Sequence, residues 1–299
     1  MLKPILKKLI YPWHLWRVIK LQRNRKRNAR VYDDAQLKLY HQILPGDFLH
    51  YGYFDNKDIH PLDVSIRMIY QAQERYGQKL LELVKDSDSP ILDVGCGMGG
   101  LLGLMNQKGF NAIGLTPDIN QAKHIREKYC NTLLECRFED MDATKYHSYF
   151  GTVITSESLQ YLSLDEALPL IKSILKQGGQ WVACDYFKTG KQGEKSGHNW
   201  EHFTAKLQEH GFEITKQEDI TLHILPTIAY VHHWATQIGL PVKEFLVNKL
   251  QTKAPGFYYA LQESLPKIDE KLAKNMSTVD PQEFAKNKKY VLMNIVVGE

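Results

Sequence analysis

The sequence predicts an α/β domain built on a mostly parallel sheet with helices on both faces, extended by a helical insertion and a basic helical arm. Three observations predict it. From about residue 61, short apolar runs of strand length alternate with amphipathic stretches of helix length. About 70 residues, 220–289, then separate the last two apolar runs and read as helical, too long to be a loop. The first 30 residues hold ten Lys/Arg and no acid.

The bulk composition fits a soluble globular chain: 299 residues, 43% hydrophobic and 24% charged. No stretch reaches the roughly 20 apolar residues of a membrane-spanning helix. A secretory signal is not expected either, because Lys7, Lys8, Arg17 and Lys20 interrupt the N-terminal apolar positions. The four cysteines (Cys96, Cys130, Cys136, Cys184) form no CxxC pair and no zinc spacing, so reduced thiols and a cytoplasmic setting are expected. Charge is unevenly placed. The whole chain is +4 and residues 1–30 alone carry +10, so the other 269 residues sum to −6.

The elements follow in order. Residues 1–45 are the arm: Leu2, Ile5, Leu6, Leu9, Trp13 and Trp16 share one helical face with lysines opposite, and the cluster Arg23-Asn24-Arg25-Lys26-Arg27 follows. Pro4 suits a first helical turn, whereas Pro12 predicts a break or kink. Residues 46–219 are the core. Its pattern predicts helices over 62–85, 99–107, 118–129, 164–176 and 199–210, with strands at 90–94, 111–115, 132–137, 151–156, 180–187 and 212–218. Residues 220–289 are the insertion, punctuated by Pro226, Pro241, Pro255 and Pro266, and 290–297 supplies a final strand in a last segment 290–299.

The strongest chemical signal is Ile91-Leu92-Asp93-Val94-Gly95-Cys96-Gly97-Met98-Gly99-Gly100, a strand end opening into a helix. Gly95 and Gly97 permit a tight turn and close backbone approach to a ligand. Asp93 inside an apolar strand is costly unless hydrogen-bonded. The spacing departs from the GxGxxG of dinucleotide binders. The string resembles the first motif of the class I S-adenosylmethionine-dependent methyltransferases. Four further segments are similar to that family: Gly114-Leu115-Thr116-Pro117-Asp118-Ile119-Asn120-Gln121, Phe138-Glu139-Asp140-Met141, the segment 150–162 around Ser156-Glu157-Ser158, and His50-Tyr51-Gly52 upstream. The first and the last resemble in particular the branch of cyclopropane fatty acid synthases, tocopherol methyltransferases and sterol C-methyltransferases. The resemblance runs from about residue 50 to 187, roughly half the chain.

That resemblance implies a Rossmann-like methyltransferase fold with seven strands, the last antiparallel, a helical lid insertion and S-adenosylmethionine as cofactor. By the same resemblance, Asp93, Gly95, Cys96 and Gly97 hold the methionine part, and Tyr51 folds over the cofactor carboxylate. Thr116 and Gln121 line the ribose side, with Asp118 as the alternative, since the acid usual at the second strand end is absent. Asp140, preferred to Glu139, takes the adenine amino group at the end of the third strand. Two residues depart from the pattern. Gly151 replaces an aspartate, read as softening a turn, and Tyr161 lies where many relatives carry histidine.

Methyl transfer requires alignment and exclusion of water, and a base where the acceptor has a proton to lose. Glu157, also placed among the cofactor contacts, is the first candidate because it lies at the C-terminal edge of the fourth strand. Tyr51 and Tyr161 come second, and His232-His233 of the insertion are within the candidates. No metal site is expected. The branch implies a hydrophobic acceptor, lipid-, isoprenoid- or quinol-like. The arm has the composition of a helix lying on an anionic membrane, so peripheral membrane contact through residues 1–30 is expected. An RNA methyltransferase is a weaker alternative, since the body is acidic and Ser156-Glu157-Ser158-Leu159 stands where amino-directed nucleic-acid enzymes carry Asp/Asn-Pro-Pro-Tyr/Phe. A cofactor-binding membrane-associated protein without catalysis is the other.

Overall fold

The computed structural model describes residues 11–27, 42–129, 132–189 and 197–298. It divides into two compact units, Met1–Lys38 and Leu39–Glu299. In the first, one helix is described, α1 (Pro12–Arg27). The proline expected to break or kink the arm opens this helix, where its missing N–H has no partner to lose. Trp13, Leu15, Trp16 and Ile19 are exposed, the two indoles lie 5.9 Å apart, and the Lys20 ammonium sits 4.9 Å from the Trp16 ring. The arm positions Leu2, Ile5, Leu6 and Leu9 lie outside the described residues, as does Cys130.

The second unit alternates as the sequence predicts. It begins with α2 (Ile66–Leu81), β1 (Ile91–Val94), α3 (Gly100–Gln107), β2 (Ala112–Leu115), α4 (Ile119–Lys128), β3 (Thr132–Leu134) and β4 (Phe150–Ser156). It continues with α5 (Leu164–Ile174), β5 (Leu175–Lys188), α6 (Trp200–Glu209) and β6 (Phe212–Asp219). The helix read at 62–85 is shorter at both ends. Ser65 stays extended and its hydroxyl accepts from the Met68 amide, which caps α2, and Pro61–Asp63 forms a separate 3-10 turn. The third strand also stops early, and Phe138–Asp140 is a 3-10 turn beyond it rather than a strand end.

The insertion is helical throughout its described length. It runs α7 (Thr221–Trp234), a π turn (Ala235–Gly239), α8 (Leu240–Lys253), α9 (Pro255–Leu261), α10 (Leu265–Thr278) and α11 (Pro281–Asn287) before β7 (Lys288–Val297). Pro241, Pro255 and Pro266 each stand in a first helical turn, as punctuation should. Pro226 instead lies inside α7, buried against the core.

The seven strands form one sheet in the order β3-β2-β1-β4-β5-β7-β6. All pairs are parallel except those of β7, which enters antiparallel between β5 and β6. Helices cover both faces. On one, α5 and α6 bury Leu168, Ile171, Phe203 and Leu207 against Trp181 and Met293. On the other, α2, α3, α7 and α11 contribute Tyr76, Leu80, Leu102, Ile224 and Phe284 against Ile91, Ile154 and Tyr290. Each such side chain, fully withdrawn from water, stabilises the fold by about 1.5–3 kcal/mol. Gly151 lies inside β4 rather than at a turn. A Cβ there would come within 2.5 Å of Ser89 Cβ, so an aspartate cannot replace it without moving the loop before β1.

Candidate active site

The carboxyl ends of β1, β2, β4 and β5 bring most of the predicted residues together, as the parallel topology requires. At the end of β1, Gly95 and Cys96 both donate their amides to Leu115 O, at 2.8 and 3.1 Å, which folds the loop over β2. Gly95 has φ +75°, a left-handed conformation, and a Cβ would meet Ser158 Cβ at 2.6 Å. Gly97 follows in the same loop, also at positive φ. Asp93 is buried between Gly114 on β2 and Ile154 on β4. Burial pushes its carboxyl up to about 7, and its Oδ2 has no hydrogen-bond partner among the described residues. Ser158 Oγ is likewise buried and unpartnered. Burial and the nearby Asp93 push the Cys96 thiol well above its ordinary value.

The turn after β2 is internally bonded. Thr116 Oγ1 donates to Gln121 Oε1 at 2.7 Å and accepts from the Asp118 amide at 3.2 Å. The Asp118 carboxylate caps α4, accepting from the Asn120 and Gln121 amides at 2.7 and 3.0 Å. Asp118 thus serves the helix start, while Thr116 and Gln121 hold each other at the strand end. On the turn past β3, Glu139 pairs with Arg137 at 3.3 Å and accepts from the Ser163 amide at 3.4 Å. The Asp140 side chain is exposed beside it.

A strap preceding the core carries Tyr51 to the same edge. Asp47 anchors it to α4 through Lys128 at 2.7 Å, His124 at 3.1 Å and the Tyr129 hydroxyl. Gln73 of α2 donates to Phe48 O and His50 O, and the Gly52 amide donates to Thr227 Oγ1 of α7 at 3.1 Å. So fixed, the strap aims the Tyr51 amide at Glu157 Oε1, 3.0 Å away. Tyr51 itself lies edge-on to Phe284 and Tyr290.

Glu157 follows β4 with φ +51°, uncommon for a residue with a side chain and a mark of local strain. Its amide donates to Cys184 O at 2.9 Å, and its Oε1 also accepts from the Tyr290 hydroxyl. Burial pushes its carboxyl up to about 7, against the pull of the Tyr290 and Tyr51 donors. Behind it, Tyr76 OH lies 3.3 Å from Tyr290 OH and accepts from Ser156 Oγ at 3.3 Å. Asp185 on β5 accepts from the Gln160 and Tyr186 amides at 3.0 and 2.8 Å. Burial, and then the Glu157 charge, push its carboxyl up to about 8. His50, its ring centroid 4.1 Å from that of Tyr76 and tilted by 31°, donates from Nδ1 to Tyr51 O, and burial lowers it to about 4, so its ring is neutral.

Of the proposed bases, the structure joins Glu157 and the Tyr51 amide directly and leaves Tyr161 on the surface at 73% exposure, at the end of the 3-10 turn Leu159–Tyr161. His232 and His233 stand in the last turn of α7. Among the described residues no hydrogen bond links them to Glu157 or Tyr51. Tyr76, Asp185 and Tyr290 were not singled out from sequence. Asp185 carries the signal that marked Asp93, an acid inside an apolar strand run. The two tyrosines look like ordinary core residues in their amphipathic and apolar patterns. Three described cysteines, Cys96, Cys136 and Cys184, are free thiols, and among the described residues no group of His, Cys, Asp or Glu could hold a metal.

Comparison with known proteins agrees with this geometry. A family model described as a methyltransferase domain matches residues 68–220, half of the chain. A sterol 4-C-methyltransferase of Caenorhabditis elegans is 30% identical over 131 residues, 38% of this chain and 39% of that protein, so the match spans well under half of the relative's length. Among solved structures, geranyl diphosphate C-methyltransferase of Streptomyces coelicolor aligns with TM-score 0.63 at 15% identity, over 89% of this chain and 94% of that one. A cyclopropane synthase of Mycobacterium tuberculosis aligns with TM-score 0.61 at 12% identity, over 88% and 94%. At such identities the structures establish the fold, and the family model with the glycine loop establishes descent. The chain belongs to the methyltransferase-domain family and carries the class I S-adenosylmethionine-dependent methyltransferase fold.

Proposed function

We propose that this chain transfers a methyl group from S-adenosylmethionine to a hydrophobic small molecule, with Glu157 as the base that takes the acceptor's proton. The observation that carries the reading is the convergence of two features on one sheet edge. One is a glycine loop whose buried Asp93 Oδ2 and Ser158 Oγ are unpartnered. The other is a strained, raised-pKa carboxylate at the end of the adjacent strand.

The unpartnered atoms are a test of fit for the cofactor. A buried carboxylate and hydroxyl left without partners cost free energy unless a ligand supplies donors, and the loop beside them is open to solvent at Gly95. The methionine ammonium, the ribose hydroxyls and the adenine are groups that Asp93, the Thr116–Gln121 turn and Asp140 would hold. Bound there, S-adenosylmethionine supplies a methyl group already activated by its sulfonium, so the chain needs no nucleophile of its own. The strap is tied to this edge through the Tyr51 amide on Glu157. Glu157, near 7, is partly ionised at neutral pH and strong enough to accept a proton. The acceptor's X–H proton would pass to the Glu157 carboxylate, and the electron pair left behind would form the new bond to the methyl carbon as the methyl–sulfur bond breaks, its pair staying on the sulfur of the departing S-adenosylhomocysteine.

A hydrophobic acceptor is favoured by the insertion. Val231, Trp234, Ile238, Val242 and Phe245 recur at spacings of three and four along α7, the π turn and α8, and all are exposed. With the exposed tryptophans of α1 they suit an enzyme that meets its acceptor at a lipid surface, and we place the arm's basic residues against anionic headgroups. No helix of the described residues is long and apolar enough to cross a membrane. The test is incubation of the full chain with methyl-labelled cofactor and a total lipid extract. Label entering the organic phase, insensitive to ribonuclease and abolished in Glu157→Gln, is expected. Label entering RNA instead contradicts the acceptor class.

A further inference from the structure

The two oxygens of Glu157 are unequally occupied. Oε1 accepts both the Tyr51 amide and the Tyr290 hydroxyl, while Oε2 accepts nothing from the described residues. Tyr290 is fully buried on β7, the strand that enters the sheet last and antiparallel, opposite Tyr186 of β5. Its backbone is pinned as firmly as its ring, because its amide donates to Thr221 Oγ1 at 2.8 Å at the start of α7. The phenol has one proton and two neighbours, Glu157 and Tyr76. A carboxylate is the stronger acceptor, so the proton points to Glu157. Tyr76, which accepts from Ser156 Oγ and donates to Cys184 O at 3.4 Å, stands behind the Tyr290 oxygen at 3.3 Å.

We infer that Tyr290 is a positioning residue that acts through Glu157: by saturating Oε1 it keeps the carboxylate ionised and turned, and leaves Oε2 as the oxygen that takes the acceptor's proton. The inference rests on Glu157 being the base. Two hydrogen bonds to one oxygen fix the carboxylate plane, and with the Glu157 backbone held at positive φ the free oxygen has a single direction to face. The hold is needed because the surroundings oppose ionisation. Burial raises Glu157, and the second buried acid nearby, Asp185 on β5, is raised by its own burial and then by the Glu157 charge. The other titratable neighbours, Tyr76 on α2 and Cys184 on β5, are pushed well above their ordinary values and stay uncharged, and His50 from the strap is held neutral by burial. Among the described residues no cation contacts Glu157, so the two donors are what offset the desolvation.

The experiment is a pH titration of the Glu157 carboxyl carbon by NMR in the full chain labelled with 13C-glutamate, assigned by difference from Glu157→Gln, beside the pH profile of kcat/KM. In Tyr290→Phe the Glu157 midpoint is expected to rise by about one pH unit, because a donor to the charged form is gone. The acid limb of kcat/KM moves up by the same amount, and activity recovers at high pH. With 3-fluorotyrosine at position 290, a stronger donor of nearly the same size, the midpoint is expected to fall. A midpoint that does not rise in a folded Tyr290→Phe chain overturns the inference. Should that variant fail to fold, a midpoint that does not fall in the fluorinated chain overturns it equally. The NMR midpoint needs no acceptor. A moved midpoint with an unmoved acid limb therefore faults the reading of Glu157 as base, and leaves the hold by Tyr290 standing.

Discussion

The carboxyl ends of β1, β4 and β5 and the helices α8 to α10 follow opposite rules of construction. At the strand ends, acids are buried, the Glu157 backbone is strained, and side chains of α2, β4 and β7 converge within hydrogen-bonding distance around Glu157 with the Tyr51 amide of the strap. In α8, α9 and α10 no residue is buried, and Phe245 and Tyr259 are exposed at 59% and 74%. The first region accepts energetic cost for chemistry, in the form of Asp93, Glu157 and Asp185 all raised by burial. The second leaves apolar area in water, a cost that is recovered only against something apolar. On the function proposed above, one region sets the reaction and the other what is admitted to it, so substitutions in the two should separate cleanly into effects on turnover and effects on acceptor capture.

The largest effect is expected at the glycine loop. Gly95→Val places branched atoms against Ser158 at a backbone conformation that disfavours any side chain, and should abolish binding of S-adenosylhomocysteine, by more than about 100-fold, with the circular dichroism spectrum retained. Next, Glu157→Gln removes the base and should lower kcat by about 100-fold or more while leaving cofactor affinity within a few-fold. Equal loss in both would make Glu157 a cofactor ligand first and a base second.

Stability should report the same buried acids. Asp93, Glu157 and Asp185 have folded values near 7, 7 and 8, above their unfolded ones, so the folded state binds more protons and loses this advantage as pH rises through those values. His50 acts oppositely but only below its unfolded value, as pH falls toward 4. Between pH 6.5 and 8.5 the acids alone matter, and the ligand-free Tm should fall by a few degrees, on the order of 2 kcal/mol in stability. A Tm that rises over this window would contradict the burial of these groups. The smallest effects belong to the other region. Trp234→Ala with Phe245→Ala should raise the KM for a vesicle-borne acceptor several-fold at unchanged kcat. Trp13→Ala with Trp16→Ala in the full chain should weaken sedimentation with anionic vesicles by a similar factor. Vesicle binding that survives both pairs would remove these aromatic side chains as the lipid contact.

What could be read beforehand divides along the same line. The fold was legible because parallel strands buried on both faces leave short, mostly apolar runs without a polar alternation, as at Ile91–Val94 and Phe150–Ser156. The glycine loop was legible because only glycine tolerates the turn at position 95. Boundaries were lost where a local cap decides them, as Ser65 does for α2, and where Phe138–Asp140 turns instead of extending. Gly151 was misplaced because its reason, the approach of Ser89, is distant in sequence. Tyr76 and Tyr290 went unnoticed for the same cause: they lie 214 residues apart, and only the late antiparallel entry of β7 sets their hydroxyls beside Glu157. Asp185 is the exception, since an acid inside the apolar run of β5 is legible in the sequence in the same way as Asp93.

The central claim, that the glycine loop holds S-adenosylmethionine, is tested most directly by calorimetric titration of the full chain with S-adenosylhomocysteine. Saturable binding at one site per chain, lost in Asp93→Ala, is the predicted result. A folded chain that gives no binding heat at any temperature tried, and no Tm shift with ligand, would contradict it and return the loop between β1 and α3 to a purely structural role.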